Sequence, residues 1–446
     1  MRRLGLNESP TDHPPQPHDP LAALRQPRFV VYTFSRVGSS VGNAMLQAIL
    51  LWHVYELTGD PLSLGFLGLA RFLPALGVSV IGGAVADVYN RRNVIMAAQT
   101  VPLAGGVFLA AATLGGWVTP EMIYGLVLLV GLAAAFENPA RLALLPTIVR
   151  PETFANAVTV SSTLQSLGMV TGGLIGGVIV VWDPGAAYVV YSAAIAWAFL
   201  MMGLLHYEQV SEGEKRGVSL AAIKEGLAFV RRHQPIWGAM SLDMFAVIFG
   251  GAKGLLPVYA SDILHAGGFG YGLLIASLEI GAFLMSAALV LRPPIVRTGR
   301  ALVYSVAAFG LLTVGFGLSE NLYLSIALYM AIGAADQVSV VMRNVIIQLG
   351  TPDELRGRVS SVNQVFIQAS NQLGAMESGF VAAATGAVFA VVSGGAAAIG
   401  VAALFGWRLK GLFAYRQPSV FEAQPEPEAM APANAGFTAG EAAGSS

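Results

Sequence analysis

The chain has 446 residues, 55% of them hydrophobic and 11% charged, with a mean hydropathy of +0.65. Soluble chains carry about 25% charged residues, so this one has too little charge to cover a water-facing surface and reads as an integral membrane protein. Its 25 Lys and Arg balance 26 Asp and Glu, which excludes the basic surface of a nucleic-acid binder, and the absence of Cys excludes disulfides and thiolate chemistry.

In chain order, residues 1–27 are polar and proline-containing and are expected to form a disordered cytoplasmic tail. No apolar run there is long enough for a signal peptide. A first block, 28–206, holds six apolar stretches at 30–56, 62–86, 93–116, 119–137, 154–182 and 186–206. A polar segment, 207–234, follows. A second block, 235–411, holds six more, at 235–260, 268–291, 301–318, 321–345, 357–382 and 386–407. Residues 412–446 form a second cytoplasmic tail, disordered where Pro, Glu, Ala and Ser dominate after 417. Each stretch matches the roughly 20 residues of a spanning helix. None alternates in polarity as the roughly ten-residue strands of a membrane barrel do. The expected fold is all-α, with twelve transmembrane helices in two pseudo-symmetric six-helix bundles.

With the N-terminus in the cytoplasm, every Lys and Arg falls on the cytoplasmic side except Arg36, Arg71 and Lys253, which lie inside stretches. A miscounted helix would scramble this asymmetry. In the middle segment Leu220, Ile223, Leu227 and Val230 fall at helical spacing. This reads either as an amphipathic helix on the inner membrane surface or as a solvated linker helix. The two blocks are related. Pro151-Glu-Thr-Phe-Ala-Asn-Ala-Val158 and Pro352-Asp-Glu-Leu-Arg-Gly-Arg-Val359 each introduce a fifth stretch, 201 residues apart. An offset of 207 places Arg36 over Asp243 and Gly65 over Gly272.

Charge inside a bilayer costs at least about 2.5–3.5 kcal/mol and therefore faces a partner or a cavity. Arg36, Arg71, Glu137, Asp243, Lys253, Glu279, Asp336 and Glu377 occupy stretches 1, 2, 4, 7, 8, 10 and 11. Stretches 3, 6, 9 and 12 carry none in their interiors. Every third helix therefore faces lipid, and the others line a central cavity.

The loop after stretch 2, Gly82-Gly83-Ala-Val-Ala-Asp87-Val-Tyr-Asn-Arg91-Arg92, resembles the signature loop of the major facilitator superfamily. Gly83, Asp87, Arg91 and Arg92 match it; Val88 replaces a basic residue and Asn90 a glycine. Asp87 is expected to cap a helix or pair with a cation such as Arg141, and the arginines to anchor at headgroups. Gly168, Gly172, Gly173, Gly176 and Gly177 of stretch 5 resemble the motif of proton-coupled exporters of that superfamily, with Gly173 where proline is usual. Generic small-residue packing explains the same spacing. Ser39-Ser-Val-Gly42-Asn43, Tyr55-Glu-Leu-Thr-Gly59, Phe136-Glu-Asn-Pro139 and Gly357-Arg358-Val359 look like the bacterial drug and siderophore exporter branch that contains the enterobactin exporter.

That resemblance implies an inner-membrane exporter running on the proton gradient, without naming its substrate. The expected cargo is a small amphipathic molecule such as a drug or siderophore, carried by a monomer. The alternatives are a proton-coupled uptake symporter and a transport-inactive sensor. Arg36 and Asp243, at matching depths, are expected to form an inner gate or else two separate structural pairs. Glu279 is the first candidate for proton carrier and Asp336 the second, unless Arg343 holds Asp336 ionised. Glu377 and Arg71 complete the coupling and gating candidates. Gln364, Gln368, Asn371 and Gln372 share one helix face and suit a cavity wall. Lys253 is either an anion contact or a snorkelling cation. No phosphate loop, nucleophile with a base, or metal motif is present, so neither enzyme nor cofactor is expected. His53 and Glu56 read as a surface pair.

Overall fold

A computed structural model describes residues 22–77, 85, 88–207, 220–293, 295–352 and 355–417. Among them all regular structure is helical. The first half contains α1 (Pro27–Thr58), α2 (Pro61–Gly77), α3 (Arg91–Leu114), α4 (Pro120–Ile148), α5 (Phe154–Trp182) and α6 (Pro184–Leu204). A linker helix, Leu220–Arg232, leads to α7 (Gln234–Gly250), α8 (Gly267–Val290), α9 (Thr298–Gly317), α10 (Leu322–Leu349), α11 (Arg356–Thr385) and α12 (Ala387–Arg408). Nine segments are long and apolar enough to cross a bilayer among the described residues, one of them α7 continued to Ile263. Of the other three, α2 is described only to Gly77. The other two, α1 and α11, have 32 and 30 residues and are long enough, but more polar. That polarity suits helices that line a wet cavity.

Local chemistry sets the helix ends. Pro27, Pro120 and Pro184 stand at first-turn positions, where a missing N–H costs nothing. The Asp183 carboxylate accepts from Gly185 N–H at 2.7 Å, and the Asn321 side chain from the N–H groups of Tyr323 and Leu324. Gly59, at φ 61°, closes α1 in the left-handed conformation and donates to Tyr55 O.

The loops sort onto two faces. One holds the linker helix and the starts of α1, α3, α5, α7, α9 and α11; the other holds the α1–α2, α3–α4, α5–α6, α7–α8, α9–α10 and α11–α12 turns. We call them the linker face and the far face. The expected N-terminal tail is partly built into the linker face. Ala22–Arg25 form a 3-10 turn with Ala23 fully buried, its N–H on Asn156 Oδ1 at 3.0 Å. Gln26 donates to Thr153 Oγ1 and accepts from Arg150 N–H.

The halves meet along two seams, α2 on α11 and α5 on α8. In the first, Gly65 meets Gly379 and Gly68 meets Ala375 and Met376. In the second, Gly177 meets Gly272 and Gly268 meets Val181. Gly65 and Gly272 are 207 residues apart, Gly177 and Gly379 are 202 apart. The two contacts are therefore the same contact related by the internal repeat. Both seams lie toward the far face.

The apolar core follows this division. One cluster joins both halves near the far face, taking in Met45, Val54, Leu64, Leu255, Tyr271 and Phe316. On the linker face the clusters are separate. One holds Phe29, Tyr32 and Leu144; two others hold Leu302 with Ile346, and Val230 with Val359. Dispersion and burial thus close the far face and leave the linker face split. The linker helix is no free surface helix. Gly226 packs on the Arg358 backbone, Val230 is buried, and Glu225 pairs with Arg358 at 2.5 Å.

Candidate transport cavity

The cavity lies between the halves. Ala44, Gln47, Ala48 and Leu51 of α1 and Met169 and Gly173 of α5 face Ile275 and Glu279 of α8. Lys253 enters it from a break in α7. After Gly250 the helix stops. Gly251 has ψ 78°, Ala252–Leu255 form a 3-10 turn, and a π-turn runs Tyr259–Ile263. Backbone freed at membrane depth needs a partner, and Ser378 Oγ of α11 donates to Gly251 O at 3.1 Å. The sequence stretch 235–260 reads as unbroken; Gly250-Gly251 and Pro257 were the available signal. The break places Lys253 Nζ 3.6 Å from Glu279 Oε1, both partly open to the cavity.

Lys253 is therefore an ion-pair partner of Glu279 rather than a snorkelling cation. Asp336 of α10 is within electrostatic reach of both. Arg343 does not hold Asp336, as one expectation had it. It pairs with Asp243 on α7, whose Oδ1 also accepts from Ser339 Oγ at 3.3 Å. Asp243 is buried, and in this conformation it does not meet Arg36. The Arg36 guanidinium instead donates to Gln165 Oε1 of α5 at 2.5 and 3.0 Å, with the Tyr32 hydroxyl at 3.4 Å. Arg71 lies near Tyr271, and its Nη2 is buried with no hydrogen-bond partner among the described residues. Glu377 accepts from Ser378 Oγ at 3.4 Å. The side chains of Gln364, Gln368 and Asn371 are exposed on one face of α11, and Gln372 beside them is half-buried.

A buried network stabilises the first half. Arg141 donates to Glu137 at 2.7 Å, Ser39 Oγ at 2.8 Å and Ser35 Oγ at 3.4 Å. Gln99 of α3 donates to Ser39 Oγ and Glu137 Oε1. Of the signature loop, Gly83 and Asp87 lie outside the described residues. Arg91 donates to Ala143 O, and Arg92 to Met202 O and Gly203 O. Arg92 thereby caps the negative end of α6. Asn90, in the place of a glycine, caps α3 through its side chain on Asn93 N–H.

The stretch 5 glycines serve two interfaces. Gly168, Gly172 and Gly176 press α5 onto Ser40, Val41 and Met45 of α1, within the first half. Gly173 and Gly177, one position on, face Ile275 and Gly272 across the seam. Three far-face contacts were invisible in the sequence. The Tyr55 hydroxyl donates to Asp262, Tyr271 OH donates to Ala48 O at 2.7 Å, and Trp52 lies on the Tyr271 ring at 5.1 Å. His53 is not on a surface. It is buried, with Nδ1 3.1 Å from the Tyr188 hydroxyl.

Residues 18–431 match the family model described as transmembrane secretion effector. The chain belongs to this family of the major facilitator superfamily. Among curated proteins it is similar to the multidrug efflux pump Tap of Mycolicibacterium fortuitum, 26% identical over 400 residues, 85% of this chain and 95% of the relative. It is also similar to macrolide efflux protein A of Streptococcus pyogenes, 20% identical over 261 residues, 55% and 64% of the two chains. Among solved structures, an inward-facing, unoccupied bacterial homologue of the human lysosomal transporter Spinster superposes with a TM-score of 0.65 at 14% identity. It covers 88% of this chain and 97% of its own. A mutant of the nucleoside transporter NupG gives 0.65 at 13% identity, with 86% and 99% coverage. These likenesses establish the twelve-helix fold. The chain is a multi-pass membrane protein of a transporter family.

Proposed function

We propose that this protein is a secondary active exporter that carries small amphipathic molecules out of the cell in exchange for protons. The observation that carries the reading is the Lys253–Glu279 pair, half-open to a cavity whose walls come from both halves. Titratable charge at the meeting point of two rigid bundles is where loading a proton can change which arrangement is stable. The similarity to multidrug and macrolide efflux pumps supports export over uptake. The protein sits in the inner membrane of a bacterium, linker face and both termini in the cytoplasm. The concentration of Lys and Arg on that face supports this orientation. It works as a monomer and catalyses no covalent chemistry.

The mechanism follows from the packing. The far-face core and the contacts of Tyr55 and Tyr271 hold the halves together on one side. The separate linker-face clusters let the other side admit substrate. The glycine seams allow backbones to slide without side chains in the way. Proton loading on Glu279 releases Lys253 from its ion pair and reorganises the charge at the α7 break. The test uses everted vesicles, acidic inside, with fluorescent amphiphilic dyes. Gradient-dependent uptake that stops with an uncoupler and with Glu279→Gln is expected. Uptake unaffected by both refutes proton exchange through Glu279.

A further inference from the structure

The membrane-embedded charges are not distributed evenly between the two halves. In the first half, among the described residues, Arg36 has only the neutral Gln165 and Tyr32 as hydrogen-bond partners, and Arg71 Nη2 has none. The membrane-embedded acid of that half, Glu137, is engaged by Arg141. Among the described residues, no carboxylate lies within ion-pair distance of Arg36 or Arg71. The second half, which supplies Lys253 and Glu279 to the cavity, has the reverse balance. Asp243 is neutralised by Arg343, which leaves Lys253 against Glu279, Asp336 and Glu377. The first half therefore carries cations without carboxylate partners, and the second half an excess of carboxylates over cations.

The geometry puts these poles on one path. Gln165 is one turn from Met169 on α5, and Met169 lines the cavity. Arg36 is eleven residues, or three turns, from Gln47, which lines it too. At about 1.5 Å per residue, the two positions are about 16 Å apart along α1. Between the poles the lining is apolar: Ala44, Ala48, Leu51, Met169 and Ile275. A charge placed here is poorly hydrated, so its preference for the wall of opposite sign is stronger than in water.

We propose that the cavity selects dipolar amphiphiles, molecules with an acidic group and a basic group on one apolar body. The acidic end docks at Arg36 with Gln165, and the basic end at Glu279 and Asp336. This rests on the export reading for its direction but not for its chemistry. A purely cationic amphiphile satisfies only the second-half wall, and an anionic one only the first.

The test compares rhodamine B, a zwitterion at neutral pH, with rhodamine B ethyl ester, a cation with the same ring system. Binding to the purified full chain is read from quenching of its tryptophan fluorescence and needs no transport. Rhodamine B is expected to bind at least fivefold tighter than the ester. Arg36→Gln lowers the preference to under twofold, and Arg36→Lys retains most of it. Equal affinities, a tighter ester, no binding of either dye, or a preference that survives Arg36→Gln overturns the proposal. The same dyes in everted vesicles separate the two readings. A binding preference without gradient-driven uptake of either dye refutes export alone. Uptake of the ester with no binding preference for rhodamine B refutes dipolar selection alone.

Discussion

Arg141 on α4 and Arg343 on α10 are 202 residues apart and occupy the same place in the two halves. Their partners have changed helices. Arg141 takes its carboxylate from Glu137, one turn away on its own helix, and hydroxyls from Ser35 and Ser39 on α1. Arg343 takes its carboxylate from Asp243 on α7, and Ser339, 202 residues after Glu137, donates its hydroxyl to that Asp243 carboxylate. The internal repeat keeps the buried cation. Its counter-charge sits on whichever helix brings a carboxylate within reach. The consequence is mechanical. An ion pair ties α7 to α10, whereas bonds from the Arg141 guanidinium to uncharged hydroxyls tie α4 to α1.

The sharpest way to break this comparison is to remove the tie between α7 and α10. Arg343→Leu strands the buried Asp243 carboxylate and is expected to cost about 3–5 kcal/mol, read as a lower unfolding midpoint in detergent. Adding Asp243→Leu should restore most of the loss; a double variant as unstable as the single one removes the pair as the cause. Second are the two seams. A methyl group at Gly379 overlaps the Gly65 backbone, but at Gly177 it comes no nearer than 3.3 Å to Gly272 Cα. Gly379→Ala should cost about 1–3 kcal/mol and most of the transport. Gly177→Ala should cost well under half as much in both. Equal losses would show that the seams are more alike than their spacing.

Third, Glu137→Gln keeps an acceptor for Arg141 and keeps both serines. It turns the carboxylate bond into an amide bond without leaving Arg141 unbonded and should cost about 1.5 kcal/mol, less than Arg343→Leu, which leaves Asp243 with no cation. Equal stability losses for the two would end the contrast between the halves. The smallest effect is expected at Tyr55. Tyr55→Phe removes the bond to Asp262 and should favour far-face opening by about 1 kcal/mol, roughly fivefold. Because the chain has no Cys, a single cysteine placed at Ser63 reports this as a faster labelling rate with an impermeant thiol reagent.

Much of the fold is legible in the order of the amino acids. Long apolar runs have to be helices, since only helices and closed barrels satisfy the backbone in lipid. One-sided arginines order them. The glycines of α5 were legible as a packing face, but not as two faces. Nothing local says that Gly172 meets α1 while Gly173 turns 100° away toward α8. The site was legible as a set of charges and illegible as pairs. Glu279, Lys253, Asp243 and Arg36 were found because charge in a membrane is costly and therefore rare. Their partners were not, because those partners are set by helices that meet only after the chain has folded.

Composition and periodicity by themselves determined the number of helices, their order along the chain, the internal repeat and the identity of the buried charges. These depend on transfer energies that each segment meets alone. Tertiary structure decided the rest. It gave Asp243 to Arg343 and left Arg36 to Gln165, broke α7 at Gly251 so that Lys253 reaches Glu279, and closed the far face through Tyr55 and Tyr271. Each is a contact of a few ångströms between segments far apart in sequence. Such contacts are fixed by how helices pack, and no single helix carries that information.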